Sequence, residues 1–280
     1  MSVTSLVDEP RTITTHGGDI AVDSVTRAFG SGPSPVYALS DVSLDIPEKQ
    51  FVSIIGPSGC GKSTLFNIIA GLDHPTSGDI RVNGQSIIGE QGNVGYLLQD
   101  DLLLPWRSII DNVILGLEIK GVAKSQCREI ARPLMAAYGL GDFADHFPSQ
   151  LSGGMRQRAA MLRTIMLNQN VLLLDEPFGK LDAQTRVDMQ EWLLDLWDEF
   201  RKTVVFVTHD IDEAIYLSDR VLVMSPRPGR VVDDITVDLE RPRPPEIIDT
   251  PEFTSLRHRI RDHLDKAKID EGSNGSEAQK

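Results

Sequence analysis

Phe51-Val52-Ser53-Ile54-Ile55-Gly56-Pro57-Ser58-Gly59-Cys60-Gly61-Lys62-Ser63-Thr64 decides the fold. Its first five residues are a mostly apolar run that fits a buried strand. Glycines follow, and residues 63–70 then read as a helix with Gly71 as a natural stop. Strand, glycine-rich loop and helix in that order form the context that GxxxxGK[ST] requires, and Gly56, Gly61, Lys62 and Ser63 fill the pattern. Such a loop curls its backbone N–H groups around phosphate oxygens, helped by the positive end of the helix. Pro57, Ser58, Gly59, Cys60 and Thr64 complete the expected phosphate lining. Lys62 supplies a mobile charge to the β and γ phosphates, and the Ser63 hydroxyl is a ligand for Mg²⁺.

A second motif belongs with the first. Val171-Leu172-Leu173-Leu174-Asp175-Glu176 is an aliphatic run ending in two carboxylates. A buried parallel strand delivers such terminal residues to the carboxyl edge of a sheet, where open α/β folds bind ligands. Asp175 is placed to hold Mg²⁺ through water, and Glu176 to polarise an attacking water as general base. A carboxylate is a weak base near neutral pH. The rate must therefore come from positioning and from electrostatic stabilisation of the transferring phosphoryl group.

Outward from these motifs, the chain alternates strand and helix signals. Residues 20–29 and Val42, Leu44 and Ile46 alternate as strands, and 80–82 and 93–98 read as further strands. Helical patterns fill 108–138 and 152–167. Residues 171–174 and 204–207 are covered strands separated by a helix at 183–200, a βαβ unit. Asp210 and Glu213 form a capping box for the next helix. Strands follow at 220–224 and 231–239. A proline-bearing tail then leads to a short charged helix at 253–268 and a disordered end of ten residues or so.

Composition sets limits. The chain has 280 residues, 40% apolar and 25% charged, an ordinary globular mix large enough for a sizeable core. No apolar stretch spans a bilayer, and the N-terminus lacks the pattern of a secretory signal. A net charge of −13 argues against nucleic acid as a partner. Cys60 and Cys127 are expected to be free thiols in a reducing compartment.

Between the two motifs lies Leu151-Ser152-Gly153-Gly154-Met155-Arg156-Gln157-Arg158, and here the chain resembles the ATP-binding-cassette (ABC) ATPases. The resemblance covers about residues 20–240. It implies an α/β phosphate-loop NTPase (RecA-like) core sheet with an antiparallel β part and a helical subdomain inserted at about 100–165. Residues 1–19 would be a flexible lead and 241–280 a tail. It also implies ATP and Mg²⁺ as ligands. Ser152, Gly153 and Gly154 would complete the site of a second subunit, a copy or close paralogue, since a hydroxyl and small residues at a helix start approach phosphate closely.

Other positions match the family in order. Gln99 resembles the glutamine that contacts Mg²⁺ and the attacking water. His209 resembles the histidine that touches the γ-phosphate, and Leu181-Asp182 the loop through which subunits sense each other. Phe29 resembles the aromatic that stacks on adenine, with Tyr37 as a rival. Arg156 either positions its neighbours or solvates its helix. Lys180 departs from the alanine of many relatives.

A single cassette without heptads resembles a transporter subunit more than the DNA-repair or ribosome-associated members. Separate transmembrane permease subunits would then dock on Asp100-Asp101-Leu102-Leu103-Leu104-Pro105-Trp106-Arg107. Burying about 300 Å² of apolar surface there would contribute roughly 7–8 kcal/mol before ordering costs. That run, Asn112-Val113, Ser225-Pro226-Arg227-Pro228-Gly229-Arg230 and 239–245 resemble importers of the nitrate, sulfonate and taurine group. Those importers also use an extracytoplasmic solute-binding protein, and their ATPases sit on the cytoplasmic face of the inner (plasma) membrane. The alternatives are an importer for a thiamine-precursor pyrimidine or a polyamine, an exporter, or a non-enzymatic subunit that binds ATP to assemble a complex.

Overall fold

The computed structural model describes residues 17–274 except Ser31 and Pro33. The expected lead up to residue 16 and the end beyond 274 lie outside the described residues. The chain packs as two units: Gly17–Val94 together with the segment from Thr203 onward, and Gly95–Lys202.

The first unit opens with β1 (Ile20–Phe29) and β2 (Val36–Ile46), followed by β3 (Phe51–Ile55), α1 (Lys62–Ile69), β4 (Ser77–Val82) and β5 (Gln85–Ser86). β1 pairs antiparallel with both β2 and β4, giving a sheet in the order β2-β1-β4-β5. Ile20, Val22 and Val25 of β1 and Val42, Leu44 and Ile46 of β2 are its buried face. β3 is buried at every position, as a Val/Ile-rich central strand must be. α1 buries Leu65, Phe66, Ile68 and Ile69 and ends on Ala70, one residue before the glycine expected to stop it. Gly71 follows with φ 72°, the left-handed turn that removes the chain from the helix.

The second unit contains β6 (Gly95–Leu97), α2 (Ile109–Val113), α3 (Leu115–Ile119), α4 (Lys124–Ala137), α5 (Gly153–Ile165), β7 (Val171–Asp175) and α6 (Ala183–Phe200). β6 lies parallel to β7, with Leu97 opposite Leu174. The helical stretch expected over 108–138 is three helices, with a turn through Gly121 (φ 85°) before α4. Cys127, Ala131, Leu134 and Met135 form the buried stripe of α4, at the spacing of one helix face. Both cysteines are free and buried.

The chain then returns to the first unit through β8 (Thr203–Thr208), α7 (Ile211–Leu217), β9 (Arg220–Met224), β10 (Val231–Thr236) and α8 (Pro251–Asn274). β3 sits between β8 and β9, parallel to both, and β10 closes on β9 antiparallel. β8, α7 and β9 therefore form a crossover unit straddling β3. The strand expected over 231–239 stops at Thr236. The tail helix is longer than its expected 253–268. It starts at Pro251, is capped where Phe253 N–H donates to Thr250 Oγ1 at 3.3 Å, and continues to Asn274 where a disordered end was expected. Phe253 and Ile260 are fully buried, so this tail is docked on the body of its unit. Parallel strands joined by helices, with a separate antiparallel sheet, make the α/β architecture expected.

Candidate functional site

In the first unit the phosphate loop leaves β3 at its carboxyl edge. Gly61 is the N-cap of α1 with φ 107°, it makes no side-chain cap, and the first turn carries no acidic residue. A methyl group there would lie 2.6 Å from Leu39 Cδ2 and 2.8 Å from the Ala38 carbonyl oxygen, so only glycine fits. Gly59, at φ 78°, faces open space. The Lys62 ammonium folds back over the loop and donates to Gly56 O at 2.7 Å and Pro57 O at 3.1 Å. It also approaches Cys60 Sγ at 3.7 Å. Burial pushes the Cys60 thiol above its ordinary pKa, partly offset by Lys62, so this cysteine stays a neutral packing group. An uncapped helix start, a lysine held over a glycine turn and no acid nearby in the helix form an anion cradle that fits a nucleotide's phosphates.

The same edge carries His209. Ile55 pairs with Thr208, so Gly56 and His209 leave neighbouring parallel strands side by side in the chain register. His209 is exposed. The turn after it is fixed by Asp210, whose N–H donates to Thr208 Oγ1 at 3.0 Å. The Asp210 carboxylate in turn accepts from the N–H groups of Asp212 (2.9 Å) and Glu213 (3.2 Å). Asp210 thus caps α7 as expected, while Glu213 is buried.

Phe29 ends β1 and is 41% exposed, with the Arg27 guanidinium 4.5 Å from its ring centroid. Asp73 anchors that guanidinium through two hydrogen bonds, at 3.0 and 2.7 Å. The ring is therefore presented to solvent on an arginine backing. Tyr37 is equally exposed (47%), so exposure does not separate the two rivals; the Arg27 backing favours Phe29.

In the second unit, β6 and β7 bring Gln99, Asp175 and Glu176 to one edge. Gln99 Nε2 donates to Glu176 Oε2 at 3.2 Å. Asp175 is buried and accepts from the Tyr96 hydroxyl; burial first, and the Asp175 charge second, drive the Tyr96 pKa far up, so it remains a donor. Sequence reasoning missed Tyr96. It sits opposite Leu173, two residues before Asp175 on the same face, a diagonal contact visible only once the β6–β7 register is known. Glu176 itself has φ 44°, a left-handed backbone that costs a non-glycine residue energy and turns its side chain out of the strand.

Ser152 is the N-cap of α5, its hydroxyl accepting from Met155 N–H at 3.3 Å. Ser152 and Gly153 are exposed and Gly154 is buried, where a methyl group would lie 2.7 Å from Thr185 Cγ2. Arg156 is a tether: Nε donates to Asp101 Oδ2 at 3.1 Å and Nη1 to Leu151 O at 2.8 Å. Lys180 pairs with Asp100. Three successive residues, Gln99, Asp100 and Asp101, thus reach Glu176, Lys180 and Arg156. Asp182 caps α6, accepting from Thr185 N–H (3.0 Å) and Thr185 Oγ1 (2.7 Å). Those bonds hold its carboxyl below the ordinary range. Each carboxylate oxygen thus accepts one bond from Thr185 and keeps acceptor capacity toward solvent.

Along the expected docking run, Leu102 (54%) and Trp106 (73%) are exposed while Leu103 is buried. Buried Asn112, a residue sequence reasoning noted only by resemblance, shapes this run. It accepts from Leu104 N–H at 2.7 Å and donates to the carbonyls of Leu104, Arg107 and Ser108 at 3.0–3.2 Å.

Among the described residues, no group of three or more His, Cys, Asp or Glu is arranged to hold a metal ion. Taken unit by unit, Ser63 of the first offers a hydroxyl oxygen, and Gln99 and Asp175 of the second an amide oxygen and a carboxylate. Such donors suit Mg²⁺, which keeps most of its shell as water and phosphate oxygen.

Comparisons with known proteins agree on the family. The ABC transporter profile matches residues 39–179. An uncharacterised ABC transporter ATP-binding protein of Methanocaldococcus jannaschii is 45% identical over 241 residues, 86% of this chain and 89% of that one. The taurine import ATP-binding protein TauB of Rhizobium johnstonii is 48% identical over 232 residues, 81% of this chain and 88% of that one. Among solved structures, the dimeric post-hydrolysis ATP-binding cassette MJ0796 bound to ADP and Pi superposes with a TM-score of 0.69. It is 33% identical, with 79% of this chain and all of that one covered.

Proposed function

The chain belongs to the ABC transporter family, as an ATPase that powers transport, and from that premise we propose that it drives import of a small sulfonated solute of the taurine type. The observation that carries the nucleotide reading is the loop at Gly56–Thr64, with Lys62 seated over it and α1 left uncapped. The likeness to the Rhizobium johnstonii taurine import protein supports the solute class. Nitrate is an equal expectation from sequence, and the likeness to the taurine import protein favours a sulfonate over it. The absence of any helix long and apolar enough to cross a membrane among the described residues supports a peripheral subunit working beneath separate permeases.

In this reading the residues divide the work. Residues 20–240 act as the ATPase domain. Phe29 stacks on adenine. The backbone of Gly56–Thr64 and Lys62 grip the phosphates and offset their charge. Ser63, Asp175 and Gln99 would hold Mg²⁺, which when bound neutralises charge shared by the β and γ phosphates. Tyr96 orients Asp175. Glu176 accepts the proton of the attacking water as Gln99 releases it, and His209 steadies the terminal phosphate. Ser152, Gly153 and Gly154 of one copy close over the nucleotide held by a second copy. The permeases dock on Leu102 and Trp106, a solute-binding protein delivers cargo outside, and the ATPase lies on the cytoplasmic face.

The test is ATP turnover by the chain assembled with its permeases and binding protein in vesicles. Taurine added on the binding-protein side should raise turnover several-fold while nitrate leaves it at the basal rate. Stimulation by nitrate and not by any sulfonate would overturn the solute class without touching the ATPase reading.

A further inference from the structure

The segment beyond β10 lies outside the matched family region, and the proposed function leaves it without work. Its contacts converge on α7, the short helix that follows His209. At the carboxyl end of α7, buried Arg243 donates from Nη1 to the carbonyls of Ile215 (2.9 Å), Tyr216 (2.9 Å) and Ser218 (2.8 Å). Tyr216 returns a hydrogen bond to Arg243 O at 3.0 Å. Burial first, and the charge of Arg241 second, pull the Arg243 pKa down to about 10. Arg241 itself bonds Leu217 O at 2.5 Å and Asp219 at 3.0 Å.

The amino end of α7 is held from the same segment. Arg257 of α8 donates from Nε to Asp212 Oδ1 at 2.5 Å and from Nη2 to Asp212 Oδ2 at 3.1 Å. The guanidinium is also fixed from its own side, 5.2 Å from the ring centroid of fully buried Phe253. Asp212 is the residue whose N–H donates to the Asp210 cap, and Asp210 is the residue after His209. Three arginines from one tail thus bracket a seven-residue helix at both ends.

We propose that Arg257 is a positioning residue for ATP turnover: through Asp212 and the Asp210 cap it fixes the turn that presents His209. The physical reason is entropic and electrostatic. A helix of two turns has little stability of its own, so its first turn is ordered by what grips it. The bidentate Arg–carboxylate fork fixes direction as well as distance. His209 is exposed and stands between a fully buried strand and the turn through Asp210, so that turn is one of the supports that set its direction. The tail would then act on turnover without touching nucleotide.

This rests on the hydrolytic reading given above, and a double-mutant cycle keeps the two separable. Turnover is measured for the full chain assembled with its membrane subunits, in the parent, Arg257→Met, His209→Ala and the double variant. Arg257→Met should lower kcat about fivefold, with KM for ATP unchanged, the scale expected of a residue that acts through another. In the His209→Ala background the same change should cost nothing further. Arg257→Lys should restore part of the rate. Asp212→Asn, which breaks the pair from the other end, should repeat the loss and serves if Arg257→Met fails to fold. A parental rate in both Arg257→Met and Asp212→Asn would overturn the inference, as would an equal loss with and without His209, the mark of a purely structural role. A parental rate in His209→Ala would instead remove the reading beneath it.

Discussion

The side chains that matter are held before any ligand arrives. Lys62 is anchored by two carbonyls of its own loop, so the ammonium is already held over the proposed phosphate cradle. We predict that Lys62→Ala loses tight ATP binding, seen as at least a hundredfold rise in Kd, since a charge-assisted contact in a partly dry site is being removed (~3 kcal/mol). Glu176 is different: it is oriented by a strained backbone and by Gln99, and in the proposed reaction it acts on water. Glu176→Gln should keep ATP affinity while lowering kcat by about 10²–10⁴, the range for losing a general base. Equal rates for variant and parent would refute that role. At this scale the sequence was readable where chemistry is local. The phosphate loop is contiguous, and the Asp210 cap spans three residues. Tyr96 and Arg243 were not readable, because their partners are set by strand register and by chain return over 25–28 residues.

The elements show how the second unit keeps its shape. α2 and α4 are tied by Asp111, which accepts from Lys124 Nζ at 2.9 Å and Arg128 at 2.7–3.0 Å. Burial raises the Asp111 pKa, but the hydrogen bonds and charges of Lys124 and Arg128 together outweigh it and hold the carboxyl below its ordinary value. A depressed folded value means stability present in full above the unfolded value, about 4, and lost as pH falls through the folded one. Asp111→Asn should therefore cost about 1 kcal/mol at pH 7 and lose its disadvantage in acid, checked by denaturant melts at both pH values. Asn112→Ala strips the docking run of its support and should cost about 2–3 kcal/mol, because buried backbone groups of 104–108 lose partners. Helix existence was legible from apolar spacing; the three-way split of 108–138 was not, since the breaks fall at residues without strong stop signals apart from Gly121. The tail helix was read too short because its polar composition gives weak periodicity, and its docking rests on two apolar residues and several ion pairs.

For the molecule as a whole, a strand–loop–helix unit and a βαβ unit were legible from the order of motifs, while the RecA-like core with its antiparallel part and the residues that would meet a second copy followed from a resemblance. What the structure adds is that Ser152 and Gly153 stand exposed at an otherwise well-packed helix start. The surface proposed for the permease is a separate one. Trp106 is 73% exposed, so Trp106→Ala should leave the unfolding midpoint in place while weakening co-purification with the membrane subunits.

The most direct measurement concerns pairing. Glu176→Gln chain is run in analytical ultracentrifugation with ATP and Mg²⁺, and again after the nucleotide is removed. A methyl group at Gly153 would meet only ordinary contacts, 3.7 Å from Leu181 Cδ2 and 3.9 Å from Arg156 Nη2, so Gly153→Asp adds a charge with little steric cost. The account predicts a dimer that needs ATP and that Gly153→Asp abolishes, because a carboxylate would then face the terminal phosphate. A monomer throughout, or a dimer indifferent to both nucleotide and Gly153→Asp, would contradict it.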